Sequence, residues 1–242
     1  MILLIDTCTK FCSVGLLGQV GQLFVQDSLV KDIGTGHAET LPSLIQDILQ
    51  KHGLKMADLE ALMVNVGPGS FAGVRVGVAT ARGLSLALKI PIISYTGFDA
   101  YLQKAHRNNL MKEGQIITVL WDAKRHEVYG QTYHLSEGAF SFNSPPQKEP
   151  VIWHIDQLDE VIKKAGANLV LGAGAVHLPV NTGVTLALIE ELPTTQWMIE
   201  GTDLDWVKNC LLKASWHPSP LYIRPPDAKP SVKLWEALSF DD

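Results

Sequence analysis

Apolar positions in this chain come in short runs, each closed by a turn-forming residue. Ile2 to Ile5 is a continuous apolar run ending at Asp6; polar residues follow, then the apolar stretches Val14 to Leu17 and Leu23 to Val25. Runs of this length bounded by turn residues read as three consecutive strands. The pattern returns after Gly114, where Ile116 to Trp121 runs into Asp122, a short polar turn follows, and Val128 to Tyr133 alternates like a returning strand. Recurrence of strand, aspartate, turn and strand in one order marks an internal duplication.

Between the two copies the period changes. Leu41, Leu44, Ile45, Ile48 and Leu49 fall on one face of a helix that Gly53 ends. Pro42 belongs near a first turn, which places the start of the regular ladder around Glu39 or Thr40. A short apolar strand, Leu62 to Val66, leads into Gly67-Pro68-Gly69, a tight turn, and Ser70 is a suitable N-cap for a helix reaching about Leu88. Pro91 opens a further strand, Ile92 to Tyr95. In the second half, Leu169 to Leu171 and Gly172-Ala173-Gly174-Ala175 read as strand, turn and helix start. Asp203 to Leu212 has a helical pattern through Leu204, Val207, Leu211 and Leu212, and the proline-rich end, with Pro225, Pro226 and Pro230, reads as extended or mobile. The expected fold is α/β: a duplicated actin-like (ASKHA, ribonuclease H-like) architecture of two lobes, each a mixed sheet flanked by helices. The expected lobes are 1–104 and 105–224, with a tail at 225–242.

Composition narrows the functions open to such a fold. The 242 residues are 46% hydrophobic and 19% charged, an ordinary globular balance, and a formal charge of -5 argues against a protein that holds RNA or DNA by itself. Cys8, Cys12 and Cys210 form no Cys-x-x-Cys pair, so neither a disulfide framework nor a zinc knuckle is indicated. The start carries no basic leader and no segment reads as long enough to span a membrane; a cytoplasmic protein is expected.

Candidate chemistry has two readings at each place. Asp6 and Asp122 occupy matching positions in the two copies, where a carboxylate could face a metal or phosphate in a nucleotide cleft, or could satisfy backbone N–H groups of its own turn. Asp6-Thr7-Cys8-Thr9 lacks a glycine for close phosphate approach. Gly172 and Gly174 share this ambiguity. His37 with Glu39 invites a cation, but the residue four beyond His37 is Leu41, and the other histidines lack ligand spacing. Gly73, Gly77 and Ala81 recur every four residues on the helix from Ser70. Interior glycines cost about 1 kcal/mol each against alanine, so the stripe implies close approach by another backbone, either a strand of the same chain or a partner helix. Val74 and Val78, with Leu84 and Leu88, add an apolar face. Arg75 could bind an anion or partner carboxylate, or pair locally.

The string Gly67-Pro68-Gly69-Ser70-Phe71-Ala72-Gly73-Val74-Arg75-Val76-Gly77, followed by Ala79 to Leu84, resembles the signature of the TsaB (YeaZ) family. Leu3 to Thr7, His37 to Leu41, Asp122 to Arg125, Glu127 to Tyr129 and Pro220 to Arg224 extend the resemblance. It implies a paralogue of TsaD, the subunit that transfers threonylcarbamoyl to tRNA adenosine, and a non-catalytic scaffold that docks TsaD and recruits the ATPase TsaE. It further implies contact with tRNA only through the complex and a homodimer where TsaD is missing. No cofactor is expected to be tightly bound, with ATP or ADP held at the complex interface. The histidines with which TsaD holds its metal correspond to Gly97 and Tyr101. The implied contact surface comprises the two N-terminal helices: His37, Leu41, Leu44, Ile45, Ile48, Ser70, Phe71, Gly73, Val74, Arg75, Gly77, Val78 and Ala81. Ala72 stands where the family usually has threonine. The rivals are a stand-alone actin-like phosphotransferase using Asp6, Asp122 and the Gly172 turn, and a glycoprotease-like peptidase.

Overall fold

The computed structural model describes residues 1–135, 149–179, 181–188, 190, 194–200, 211 and 214–224. The expected helix from Asp203 to Leu212 and the tail at 225–242 therefore lie outside the described residues, apart from Leu211.

The first sheet contains β1 (Ile2–Asp6), β2 (Phe11–Val20), β3 (Leu23–Asp32), β4 (Ala61–Asn65) and β5 (Ile92–Tyr95), in the order β3-β2-β1-β4-β5. Helix α1 (His37–Lys51) joins β3 to β4, and α2 (Phe71–Leu88) joins β4 to β5. The second sheet contains β6 (Ile116–Lys124), β7 (Glu127–His134), β8 (Val151–His154), β9 (Leu169–Leu171) and β10 (Thr185–Ala187), in the order β8-β7-β6-β9-β10. The two orders are the same. So are the senses: the first three strands of each set run antiparallel to one another, and the fourth and fifth join parallel to the first. The duplication read from the strand-aspartate-turn pattern is thus a duplication of whole sheets.

Burial on both faces explains why β1 is a continuous apolar run rather than an alternating one. Leu3 and Ile5 join the core beneath α1 and α2, whereas Ile2 and Leu4 face α3 (Gly97–Arg107), α5 (Thr194–Ile199) and the second sheet. Helix α4 (Leu158–Ala165) covers the outer face of the second sheet through Leu158 and Ile162. Helices thus lie outside each sheet and between them. The chain division expected at residue 104 is crossed by this packing. Helix α5 packs on β2, β3 and α3, Ser215 bridges Ile92, and the Leu221 N–H bonds the Val66 carbonyl at 2.7 Å, all on the first lobe.

Helix α1 begins earlier than Pro42 suggested. Gly36, at φ +87°, sets the left-handed entry that lets the Thr40 N–H reach the Gly36 carbonyl, and Pro42 becomes the sixth helical residue. Its missing N–H is tolerated because Pro42 and Ala38 both lie on the exposed side, where the Ala38 carbonyl is open to solvent instead of being buried without a donor. Helix α2 also departs from expectation: its 18 residues, with mean hydropathy 1.2, are long and apolar enough to cross a membrane by length and composition, although its glycine face packs on the sheet.

The C-terminus of α1 is tied to β3 through one carboxylate. Asp27 Oδ2 lies 2.6 Å from Lys51 Nζ and 2.7 Å from His52 Nε2. Burial alone pushes the Asp27 carboxyl up, but the hydrogen bonds from Lys51 and His52 outweigh it and hold it below its ordinary value of 3.8. A carboxyl lowered on folding stabilises the native state above its unfolded pKa and loses that contribution as pH falls through the folded value. Asp27→Asn should therefore lower the melting temperature by about 2–4 °C at neutral pH. Thermal melts of both proteins at falling pH should show the gap close below 3.8; a gap that persists there removes the ionic role.

Candidate functional sites: the interlobe cleft and the two faces of helix α2

Asp6, the last residue of β1, and Asp122, two residues before the end of β6, make the same turn contact. Each Oδ1 accepts the backbone N–H two residues on, from Cys8 at 2.8 Å and from Lys124 at 2.8 Å. Beyond that shared turn their surroundings diverge. Asp6 is 1% exposed, and its second oxygen accepts the Thr194 hydroxyl. That hydroxyl oxygen also lies 2.9 Å from Tyr95 Oη and accepts from Asn65 Nδ2 at 3.3 Å. The Asp6 carboxylate therefore belongs to a buried network joining β1, β4, β5 and α5. Burial, and next the Asp6 charge, drive both the Cys8 thiol and the Tyr95 phenol well above their ordinary pKa values, keeping them neutral.

Asp122 is half-buried and faces a cleft between the lobes of about 730 Å³. Burial pushes its carboxyl up, but hydrogen bonds from the Lys124 side chain and backbone, with the charges of Lys124 and His177, hold it below its ordinary value. The structure thus does not bring Asp6 and Asp122 together as a pair of ligands. The glycine turn is committed to packing as well. A Cβ on Gly172, which has φ +101°, would lie 2.3 Å from the Leu120 carbonyl oxygen, and one on Gly174 3.0 Å from Leu120. The Gly172 N–H already bonds the Leu188 carbonyl and the Ala173 N–H the Tyr101 hydroxyl, which takes up donors a phosphate would need.

A strap, residues 214–224, closes one side of this cleft. It leaves β5 at Ser215, accepts from Arg82 Nη2 at the Pro218 carbonyl (2.5 Å), and meets Arg75 Nε at the Tyr222 hydroxyl (2.8 Å). Arg224 then bonds Glu127 and the Ala123 carbonyl on the second lobe. Facing it, Lys124, Arg125 and His126 are three successive residues in the left-handed region. The sequence signal for this strap, Pro220 to Arg224, carried no periodicity and so predicted no contact.

The helix-face expectations need correction. A Cβ on Gly73 would stand 2.0 Å from the Thr7 carbonyl oxygen, and one on Gly77 2.6 Å from Thr7 Oγ1. The backbone that the Gly73, Gly77, Ala81 stripe admits is the chain's own β1 turn, and Val74 and Val78 are buried with it. Leu41, Leu44, Ile45 and Ile48 likewise fill the core beneath the sheet. These nine residues have no surface for a partner because the α/β packing consumes it. His37 is buried too, donating through Nε2 to the Thr9 carbonyl at 2.9 Å. Ser70 serves as the N-cap, accepting from Gly73 N–H at 3.3 Å, and remains exposed with Phe71 and Arg75. The outward face of α2 is a different stripe: Ala72, Arg75, Ala79, Gly83 and Leu86.

Gly97 and Tyr101 sit against Trp121. A Cβ on Gly97 would meet the indole at 2.2 Å, and the Tyr101 ring packs edge-on to it with centroids 5.9 Å apart. Among the described residues no three His, Cys, Asp or Glu side chains converge as for a cation.

Two lobes built on one duplicated strand order place the protein in the actin-like class. Its structure is similar to that of YeaZ from Pseudomonas aeruginosa, with a TM-score of 0.67 at 23% identity over 91% of this chain and 98% of that one. The family model for TsaD, tRNA N6-adenosine threonylcarbamoyltransferase, matches residues 31–140. The chain is 32% identical to the tRNA threonylcarbamoyladenosine biosynthesis protein TsaB of Escherichia coli over 162 residues, 67% of this chain and 62% of that protein. It is 31% identical to the TsaB of Haemophilus influenzae over 128 residues, 53% of this chain and 51% of that protein. These matched regions span about half to three fifths of the relatives' own length. In sequence the chain is similar to members of the TsaB (YeaZ) family, and it shares the fold of YeaZ.

The two faces of α2 predict opposite responses to one added methyl group. Gly73→Ala should destabilise by about 3 kcal/mol, since backbone would have to move. Gly83→Ala, with nothing within 4 Å of the new Cβ, should stabilise by about 0.5–1 kcal/mol. Urea unfolding midpoints measure both, and equal effects would contradict the assignment of faces.

Proposed function

We propose that this chain takes part in tRNA threonylcarbamoyladenosine biosynthesis as a non-catalytic subunit that docks a TsaD-family threonylcarbamoyltransferase through the outward face of α2 and the adjoining side of α1. The observation that carries the reading is Gly83. Gly73 and Gly77 have an intrachain reason to lack a side chain, but a Cβ on Gly83 would meet nothing within 4 Å, so within this chain the glycine only weakens the helix. It stands on the apolar outer stripe with Ala72, Ala79 and Leu86, the last 82% exposed. A surface of this kind suits close approach by another helix, and the match of the TsaD family model over residues 31–140, which include both helices, makes a paralogue the fitting occupant.

A supporting role rather than a catalytic one fits the inner arrangement. The Trp121 indole occupies the space before Gly97 and Tyr101, the Asp6 carboxylate is spent on Thr194 and its own turn, and the Gly172 turn is packed on Leu120. In this reading the protein works in the cytoplasm, TsaE joins the pair as a third subunit, ATP or ADP is held at the subunit boundary, and tRNA is met only through the complex. Without TsaD the same face pairs with a second copy. The rival phosphotransferase reading draws on Asp122, which does face the cleft.

Gel filtration and calorimetry with the TsaD of the same organism should give a heteromer at micromolar concentrations. Gly83→Leu should leave folding intact and weaken that heteromer by roughly tenfold or more. No heteromer at all would overturn the proposal, and tight binding of Mg-ATP by the isolated chain would favour the rival.

A further inference from the structure

Arg75 is ordered by this chain, yet its charge is left unused. Its guanidinium carbon lies 3.6 Å from the Phe71 ring centroid and 5.7 Å from that of Tyr222, and Nε donates to the Tyr222 hydroxyl at 2.8 Å. The two rings, 5.5 Å apart, are about half exposed. The two terminal nitrogens of Arg75 have no acceptor among the described residues, which removes the local salt bridge that its position allowed. Neighbouring cations are spent differently: Lys10 pairs with Asp32, Lys124 with Asp122, Arg224 with Glu127, and Arg82 bonds the Pro218 carbonyl.

A guanidinium stacked on an aromatic ring and anchored at Nε presents its remaining edge as a fixed two-pronged donor, the geometry that a carboxylate accepts. Stacking also lessens the side-chain entropy lost when that acceptor arrives. Arg75 stands three residues after Ala72 and four before Ala79, so whatever covers the outer stripe of α2 also meets the guanidinium. On the adjoining helix, Glu39 and Asp47 are exposed and make no hydrogen bond or ion pair among the described residues. This chain therefore pairs an unused cation on α2 with unused acids on α1. A subunit with the same helix pair, packed in a two-fold-like arrangement, would lay its counterpart of α1 over this α2.

We infer that Arg75, held by Phe71 and Tyr222, is a specificity-determining anchor that receives a carboxylate of the docked subunit, from the helix corresponding to α1, through its terminal nitrogens. This rests on the docking reading above. Phe71 and Tyr222 act as positioning residues. Because the contact is between charges at a largely desolvated seam, it governs which partner is accepted as well as how tightly.

The test measures affinity of the full chain for the TsaD-family subunit in low and high salt. Arg75→Gln should weaken it roughly 10- to 100-fold and flatten its salt dependence; Arg75→Lys should fail to restore it fully, because the two-pronged geometry is lost. Tyr222→Phe should cost a smaller, few-fold loss. Arg75→Glu should bind again when the matching acid of the partner is changed to arginine. Melting temperatures of all variants should stay near that of the unaltered protein, since the Tyr222 hydroxyl that accepts from Arg75 Nε lies at the surface, where solvent can replace the donor. If the unaltered protein binds, Gly83→Leu disrupts binding and Arg75→Gln does not, the docking reading stands and this inference falls. If the unaltered protein does not bind, both fall. If Arg75→Gln spares the heteromer but weakens its hold on tRNA, the anion is a phosphate and the carboxylate assignment is overturned.

Discussion

Gly73 and Gly69 lie where a side chain has no room: a Cβ would stand 2.0 Å from the Thr7 carbonyl oxygen in one case and 2.2 Å from that of Cys8 in the other. The Ser70 N–H bonds the Cys8 carbonyl at 2.7 Å, and the Thr7 hydroxyl donates to the Gly73 carbonyl at 2.7 Å. The first turn of α2 is thereby seated directly on the backbone that leaves β1. This contact sets which face of α2 is inside, and so which residues the helix offers outside. It also holds the turn after Asp6 against the helix, so the end of β1 faces the buried network instead of an open phosphate site.

Duplication makes the consequence visible, because in the second copy the glycine turn after the fourth strand seats on Leu120, before the aspartate, and not on the backbone that follows it. Asp122 makes the same turn as Asp6, but the backbone after it runs directly into the β6–β7 hairpin, with three residues in the left-handed region at the cleft wall. There the carboxylate remains beside the cleft and is paired with Lys124. One ancestral turn has been used for packing in one lobe and left at the surface of a cleft in the other. Divergence of this kind cannot be read from matching sequence positions, since Asp6 and Asp122 are alike until Thr194 is brought in from 188 residues away.

Local order was legible wherever a period or a turn signal carried it. The strand runs at Ile2, Ile116 and Leu169, the N-cap at Ser70 and the end of α2 at Leu88 follow from patterns a few residues long. The start of α1 did not, because Gly36 supplies a left-handed entry that outweighs the preference of Pro42 for a first turn. The identity of the glycine stripe's partner was not legible either: a side-chain-free face permits close approach but does not say by what. Gly73 and Gly83 are the same residue type on one helix, ten positions apart, with opposite surroundings. Asn65, Tyr95 and Thr194 were missed because a buried polar network leaves no spacing in the sequence.

Apolar content alone would make α2 a candidate membrane span, yet its two faces have different obligations. At 1.5 Å per residue the helix is roughly 27 Å long, near the lower limit for crossing a bilayer. One side already has a protein partner, the Thr7 turn with the core around Val74 and Val78. Lipid would have to cover the other side, where Arg75 and Arg82 sit along one edge, each bonded to the strap that also bears Arg224. Charges so fixed cannot move to a headgroup layer without releasing the strap from the cleft. A protein surface accommodates them without that rearrangement, because it can supply small side chains along the stripe and acceptors at its edge. In the docking reading proposed above, the composition that resembles a membrane helix is accounted for by two protein contacts laid back to back on one helix.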